Sequence, residues 1–320
     1  MLKRPIFYII GYILVFLSIS MLFSLAWSLY YSDGDHLALI KSIVISMFVG
    51  FTSMLIFRSK HKYELSSRDG FAIVTLGWIT MAFFSSLPFY FSINNNLSLT
   101  NSFFEAMSGL TTTGASILGS ATYQIEEMSK GLLFWRSFTQ FIGGMGIIVF
   151  TIAILPMLGM GGVQLFRAEI AGPSADKLTP RVKQTAKLLW GIYVGFVFIL
   201  ALILKVEGLS WFDAFCHSFT TIATAGFSTQ NASIGSFGSI VQWTIIIFMF
   251  IAATNFSLHY YFIGKGKFEY FKDQEFRYYI ILTIIFSVLF FINIVGTPEY
   301  ELNISSFRHS VFTAVSLLTT

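Results

Sequence analysis

Apolar residues gather in blocks that recur along the whole chain, at 6–30, 37–57, 71–91, 132–158, 188–204, 240–263 and 278–295. Each block is near the roughly 20 residues a helix needs to cross a hydrocarbon core about 30 Å thick. The pattern predicts seven membrane spans. Between the third and fourth blocks the pattern changes: residues 103–116 (FFEAMSGLTTTGAS) are too short and too weakly apolar to cross, yet richer in Phe, Met and Leu than a solvated loop needs. That combination predicts a short re-entrant helix ending in a Thr/Gly turn.

The chain then repeats itself. Residues 213–228 (DAFCHSFTTIATAGFS) and 310–320 (SVFTAVSLLTT) carry the same pattern. The first and third copies match at Phe104/Phe312, Ala106/Ala314, Ser108/Ser316, Leu110/Leu318, Thr111/Thr319 and Thr112/Thr320, and the glycines pair Gly114 with Gly226. Each copy follows one span, and the first two precede another. The predicted fold is an all-α polytopic membrane protein of repeated span–re-entrant loop–span units, two complete and a third partial, behind two extra N-terminal transmembrane helices. The boundaries read as 1–66 for the N-terminal pair, 67–160 for the first repeat, 161–187 for an inner loop, 188–264 for the second repeat and 265–320 for the partial third.

Composition sharpens the class. Hydrophobic residues make up 55% of the chain and charged residues only 11%, against about 25% charged in an average soluble domain. With the N-terminus placed in the cytoplasm, 15 of the 20 Lys and Arg fall on inner segments, as the positive-inside rule requires. The first block resembles a signal peptide in its Lys3 and Arg4, but its length and lack of a small-residue cleavage site mark it as a retained anchor. Cys216 is the only cysteine and the five His are scattered. No CxxC, HExxH or GxGxxG pattern, intramembrane acid pair or nucleophile motif stands out, so the sequence points to no enzyme, no cofactor and no metal site other than one for a transported ion.

Glycine lets a backbone turn its carbonyls inward at low steric cost, and threonine adds a hydroxyl oxygen and a stiff branched side chain. Rings of backbone carbonyls replace the hydration shell of potassium in known filters. The short helix leading in presents the negative end of its dipole, which favours a cation. A single Thr-Thr-Thr-Gly run is as compatible with a plain polar turn; three copies in the same place relative to the spans favour a filter.

Residues 67–71, 105–116, 135–146, 165–169, 176–181 and 212–228 resemble the Trk/Ktr superfamily of potassium transporters, in its Trk branch of uptake pores. The resemblance covers essentially the whole chain. It implies four span–loop–span repeats around one pore, a homodimer, and a cytoplasmic nucleotide-binding regulatory subunit of the TrkA type, in the bacterial inner membrane. On that resemblance the first filter wall is Thr111, Thr112, Thr113, Gly114 and Ala115. The second is Ala223, Thr224, Ala225, Gly226 and Phe227, and Thr319 and Thr320 begin the third. The carbonyls of Thr112, Thr113, Thr224, Ala225 and Thr320 are the expected ion contacts.

Measured against four repeats, the chain stops inside the third. The expectation is therefore a C-terminally truncated chain whose activity belongs to a longer parent. Arg167, Lys177 and Arg181 in the inner loop are either ordinary flanking charge or a docking surface for the regulatory subunit. Gly143, Gly144 and Gly146 serve either close helix packing or a gating hinge. Glu105 and Arg136 are ionisable residues at membrane depth that face protein or water, and the sequence leaves open whether they pair. Channel-like entry and ion-coupled entry both fit these residues, as do a sodium-permissive relative and a non-conducting membrane subunit.

Overall fold

The structure is a computed structural model and describes residues 4–58, 67–93, 97–120, 123–158, 182–295 and 303–319. Among these residues the regular elements are helical: α1 (Arg4–Tyr31), α2 (His36–Ile56), α3 (Ser67–Phe91), α4 (Leu99–Leu110), α5 (Lys130–Leu158), α6 (Val182–Val206), α7 (Trp211–Ile222), α8 (Ser239–Ala253), α9 (Phe256–Lys265), α10 (Gln274–Ile294) and α11 (Ile304–Thr319). Short 3-10 turns lie at Ser233–Ser236 and Tyr270–Lys272. Among the described residues five helices, α1, α2, α3, α6 and α10, are long and apolar enough to cross a membrane. The chain divides into two compact units, Met1–Lys187 and Leu188–Thr320.

In the first unit, α1 and α2 pack antiparallel through small residues. A side chain on Gly11 would meet the Gly50 carbonyl oxygen at 2.7 Å, and one on Gly50 would meet the Gly11 oxygen at 2.9 Å. Lipid supplies little hydrophobic drive between helices, so close backbone approach of this kind carries the association. The turn joining them reaches the rest of the unit through two aspartates. Asp33 accepts from the Gly131 N–H at 2.8 Å, capping the start of α5. Asp35, 1% exposed, accepts from Ser92 Oγ at 3.0 Å and the Ile93 N–H at 3.3 Å, at the end of α3. The N-terminal helix pair is thus hydrogen-bonded to both spans of the first repeat.

Helix α4 lies between those spans. Its twelve residues extend roughly 18 Å at about 1.5 Å per residue, well short of a crossing. Gly143 on α5 sits against its end: a Cβ there would collide with the Leu110 carbonyl oxygen and fall 2.7 Å from its carbon. Close packing against the short helix is the role the structure gives this glycine. Trp135, fully buried, ties α5 to α3 by donating its indole N–H to the Ser85 carbonyl at 2.9 Å.

In the second unit the predicted span at 240–263 is not one straight helix. It breaks after Ala253, and the two pieces turn by 98°. The reason is polar. Thr254 leaves helical geometry (φ −69°, ψ 141°) and returns its hydroxyl to the Phe250 carbonyl at 3.0 Å. The Ile251 carbonyl, freed by the break, is taken by the Thr254 N–H at 3.1 Å and by His259 Nε2 at 3.0 Å. His259 Nδ1 in turn accepts from the Tyr270 hydroxyl at 2.8 Å. A broken helix at membrane depth is tolerated when the freed groups find such partners.

The third copy of the repeat, α11, packs against α8 and α10, and Arg308 Nε donates to Gln242 Oε1 at 2.7 Å. Thr319 is still the last helical residue here, so the turn expected to begin at Thr319 has not started; Thr320 lies outside the described residues.

Gly143→Ala tests the fit of α5 to α4. The added carbon has only backbone to displace, so the melting temperature of the detergent-solubilised protein should fall by several degrees, the effect of about 1–3 kcal/mol of overpacking. An unchanged melting temperature would refute this packing.

Candidate functional site: twin re-entrant loops

The two complete loops are built alike at a constant offset of 112 positions. Each short helix starts on a serine: Ser98 accepts from the Asn101 N–H at 3.2 Å, and Ser210 from the Asp213 N–H at 3.0 Å. Such capping satisfies amides that a helix start leaves unbonded.

Each helix also ends in the same hydrogen-bonded turn. In the first, the Thr111 N–H bonds Met107 O, Thr112 bonds Gly109 O and Thr113 bonds Ser108 O, at 2.9, 3.1 and 3.0 Å. In the second, Ala223 bonds Phe219 O, Thr224 bonds Thr221 O and Ala225 bonds Thr220 O, at 3.1, 3.1 and 3.0 Å. This is a Schellman ending, whose left-handed residue is usually glycine. Here it is threonine twice, Thr112 at φ 54° and Thr224 at φ 51°. A β-branched residue with positive φ is a genuine outlier, of a kind that costs about 1–3 kcal/mol and clusters at functional sites. Two residues later come Gly114 at φ 73° and Gly226 at φ 117°, where glycine is the residue suited to the conformation.

The loops leave carbonyls open. Among the described residues no donor bonds the carbonyl oxygens of Thr111, Thr112, Thr113 and Gly114, nor those of Ala223, Thr224, Ala225 and Gly226. The Ala115 carbonyl is engaged, accepting from Ser108 Oγ at 2.6 Å. In the second loop the hydroxyl at the equivalent position, Thr220 Oγ1, instead accepts from the Gly226 N–H at 3.0 Å. The first loop adds a hydroxyl pair, Thr111 Oγ1 to Thr113 Oγ1 at 2.8 Å, which Ala223 and Ala225 cannot make.

A brace closes each loop behind the glycine. Glu105, wholly buried, receives the Arg136 guanidinium at 2.6 Å, the Ser116 hydroxyl at 2.8 Å and the Ile117 N–H at 3.3 Å. Arg136 Nη2 also donates to Ser116 Oγ at 2.9 Å. In the second loop His217 and Ser228 stand where Glu105 and Ser116 do. His217 donates from Nδ1 to the Asp213 carbonyl at 2.8 Å, which leaves Nε2 to accept from Ser228 Oγ at 3.1 Å. The serines then accept from the N–H two residues on, Leu118 at 3.0 Å and Gln230 at 3.1 Å.

The chain matches the family model TrkH, described as a cation transport protein, over residues 38–295. The chain belongs to the TrkH family. It is 41% identical to the Trk system potassium uptake protein TrkH of Vibrio parahaemolyticus and to that of Escherichia coli, in each case over 99% of this chain and 65% of the relative. It is 32% identical to TrkG of Escherichia coli, over 99% of this chain and 64% of that one. The crystal structure of the potassium transporter TrkH from Vibrio parahaemolyticus superposes with a TM-score of 0.83 at 38% identity, over 98% of this chain and 64% of the other. The chain thus spans a little under two thirds of the length of these relatives.

The TrkH family is described as one of cation transport proteins, not enzymes, and the chain shares the fold of its polytopic members. Gly114 and Gly226 both have positive φ, and Glu105 and Arg136 do pair. The left-handed threonines were not foreseen, although a threonine two residues before the glycine, where a helix ending calls for glycine, was a visible signal in both loops. The braces were missed as well; the signal was a serine eleven residues after a buried hydrogen-bond acceptor in both loops. Arg167, Lys177 and Arg181 lie outside the described residues.

If Thr112 is strained, relieving it should not hurt the fold. Thr112→Gly should leave the melting temperature unchanged or raise it, strain relief of about 1–3 kcal/mol exceeding the extra entropy glycine loses on folding, about 0.5–1 kcal/mol. A fall of several degrees would show that the threonine conformation is unstrained.

Proposed function

We propose that the chain forms part of a potassium uptake pore in the bacterial inner membrane, with its N-terminus in the cytoplasm. The twin loops supply filter walls: Thr111, Thr112, Thr113, Gly114 and Ala115 in the first, Ala223, Thr224, Ala225, Gly226 and Phe227 in the second. Thr319 and Thr320 start a third. The observation that carries this reading is the row of unbonded carbonyls held in the same non-helical backbone twice. A dehydrated potassium ion needs such oxygens in place of its water shell. The relatives, potassium uptake proteins of the Trk system, point the same way.

Each loop contributes in its own right. The short helix points the negative end of its dipole at the turn, favouring a cation there. The open carbonyls of Thr112 and Thr113, and of Thr224 and Ala225, are the proposed ion contacts. Ala115 lines the first wall with its carbonyl engaged, so its part is structural. The repeat boundaries at 67–160, 188–264 and 265–320, with the N-terminal pair at 1–66, belong to the same proposal. So do assembly as a homodimer and control by a cytoplasmic nucleotide-binding subunit of the TrkA type, for which Arg167, Lys177 and Arg181 on the inner loop at 161–187 offer cationic docking points.

Gly226 gives the clean test, because a Cβ there would meet nothing within 4 Å while φ is +117°. Gly226→Ala therefore changes backbone preference without a clash. With about 1–3 kcal/mol of strain at that residue, rubidium uptake by the assembled transporter in cells lacking other potassium uptake should fall roughly tenfold. Membrane abundance should stay normal. Unchanged rubidium uptake would count against the filter assignment.

A further inference from the structure

The residues at positions 105 and 217 differ in chemistry but hold the same serine in the same place. In the first loop the Ser116 hydroxyl donates to a carboxylate, whose charge is matched by Arg136, itself 2% exposed. In the second the Ser228 hydroxyl donates to an imidazole nitrogen, and His217 is 1% exposed. Its ring is further fixed by Phe237, edge-on at 4.9 Å. Both serines accept from the amide two residues on, so each hydroxyl is pinned from at least two directions, Ser116 from a third by Arg136 Nη2. What is constant between the loops is an acceptor aimed at that hydroxyl; the charge is not.

We propose that Glu105 and His217 are positioning residues for the filter, each fixing its loop by accepting the serine proton, and that Arg136 serves to neutralise the carboxylate that does this job in the first loop. The inference rests on the filter reading of the two loops. The strained turn and the brace work together. Positive φ at Thr112 and Thr224 persists only where the surroundings over-determine it. The helix supplies one restraint through the amides of Thr113 and Ala225, and the brace supplies the other four residues after each threonine, beyond Gly114 and Gly226. Removing the acceptor frees the end of the loop that the glycine otherwise leaves slack. Loss of ion discrimination, more than loss of protein, is then the expected symptom.

The experiment uses the assembled transporter in cells lacking other potassium uptake, and reads rubidium uptake, its competition by sodium, and membrane abundance. Glu105→His alone leaves Arg136 buried without its carboxylate and should cut uptake roughly tenfold or more, because an unpaired buried charge is strongly destabilising. Glu105→His with Arg136→Met rebuilds the second loop's neutral brace in the first and should restore most of that loss. In the second loop, His217→Gln keeps an acceptor and should preserve discrimination against sodium. His217→Leu, which also loses the bond to the Asp213 carbonyl, and the smaller truncation Ser228→Ala, which also loses the bond from the Gln230 amide, should weaken it several-fold at normal abundance. A double variant no better than Glu105→His would overturn the proposal, as would His217→Leu and Ser228→Ala discriminating like the parent. If those variants are silent while Gly226→Ala is not, the positioning role fails and the filter reading stands. If Gly226→Ala is silent too, the filter reading itself falls.

Discussion

Backbone amides and carbonyls at membrane depth have no water to complete them, and leaving one unbonded costs several kcal/mol. Much of the described chain is shaped by that constraint. Straight helices satisfy it internally. At several helix ends a specific group takes over: Ser98 and Ser210 at the starts of the short helices, Asp33 at the start of α5, and the amides of Thr113 and Ala225 at the loop turns. At the broken span Thr254 and His259 do the same for Phe250 and Ile251. Against that background, carbonyls left open in both loops at the same positions stand out. They make chemical sense as ligands for an ion.

The two loops show how far a backbone can be kept while its supports change. Turn hydrogen bonds, left-handed threonines and glycines agree position by position. The side chains behind them do not: a carboxylate and a guanidinium in one, an imidazole in the other, threonine hydroxyls in one, alanines in the other. A buried ion pair is weak support for stability as such. Here it is tied to Ser116 and to the Ile117 amide, so its part is to hold geometry. Its removal from one side would leave a charge buried at almost no exposure.

Much of this was legible in the sequence because it depends on periodicity and repetition. Span positions follow from apolar blocks, and the loops from the recurrence of one pattern around Gly114 and Gly226. The break in the sixth span was not legible, since 240–263 is apolar nearly throughout and only Thr254, Asn255 and His259 mark the joint. Hydropathy averages them away; their effect comes from hydrogen bonds to Phe250 and Ile251 that only the fold reveals. The exchange of Glu105 with Arg136 for His217 was hidden for a related reason. An acceptor can be supplied by unlike residues, so likeness of residue type fails where likeness of hydrogen-bond role holds. Gly143 could be read as a packing glycine or a hinge, and the Leu110 carbonyl at its face decides for packing.

The central claim is that the open carbonyls of each loop meet the transported ion. Crystals of the transporter soaked in rubidium, with diffraction measured at the rubidium absorption edge, test it most directly. Anomalous density should appear within coordination distance of the Thr112 and Thr113 carbonyls in the first loop, and of the Thr224 and Ala225 carbonyls in the second. Rubidium density found only away from these oxygens would contradict it.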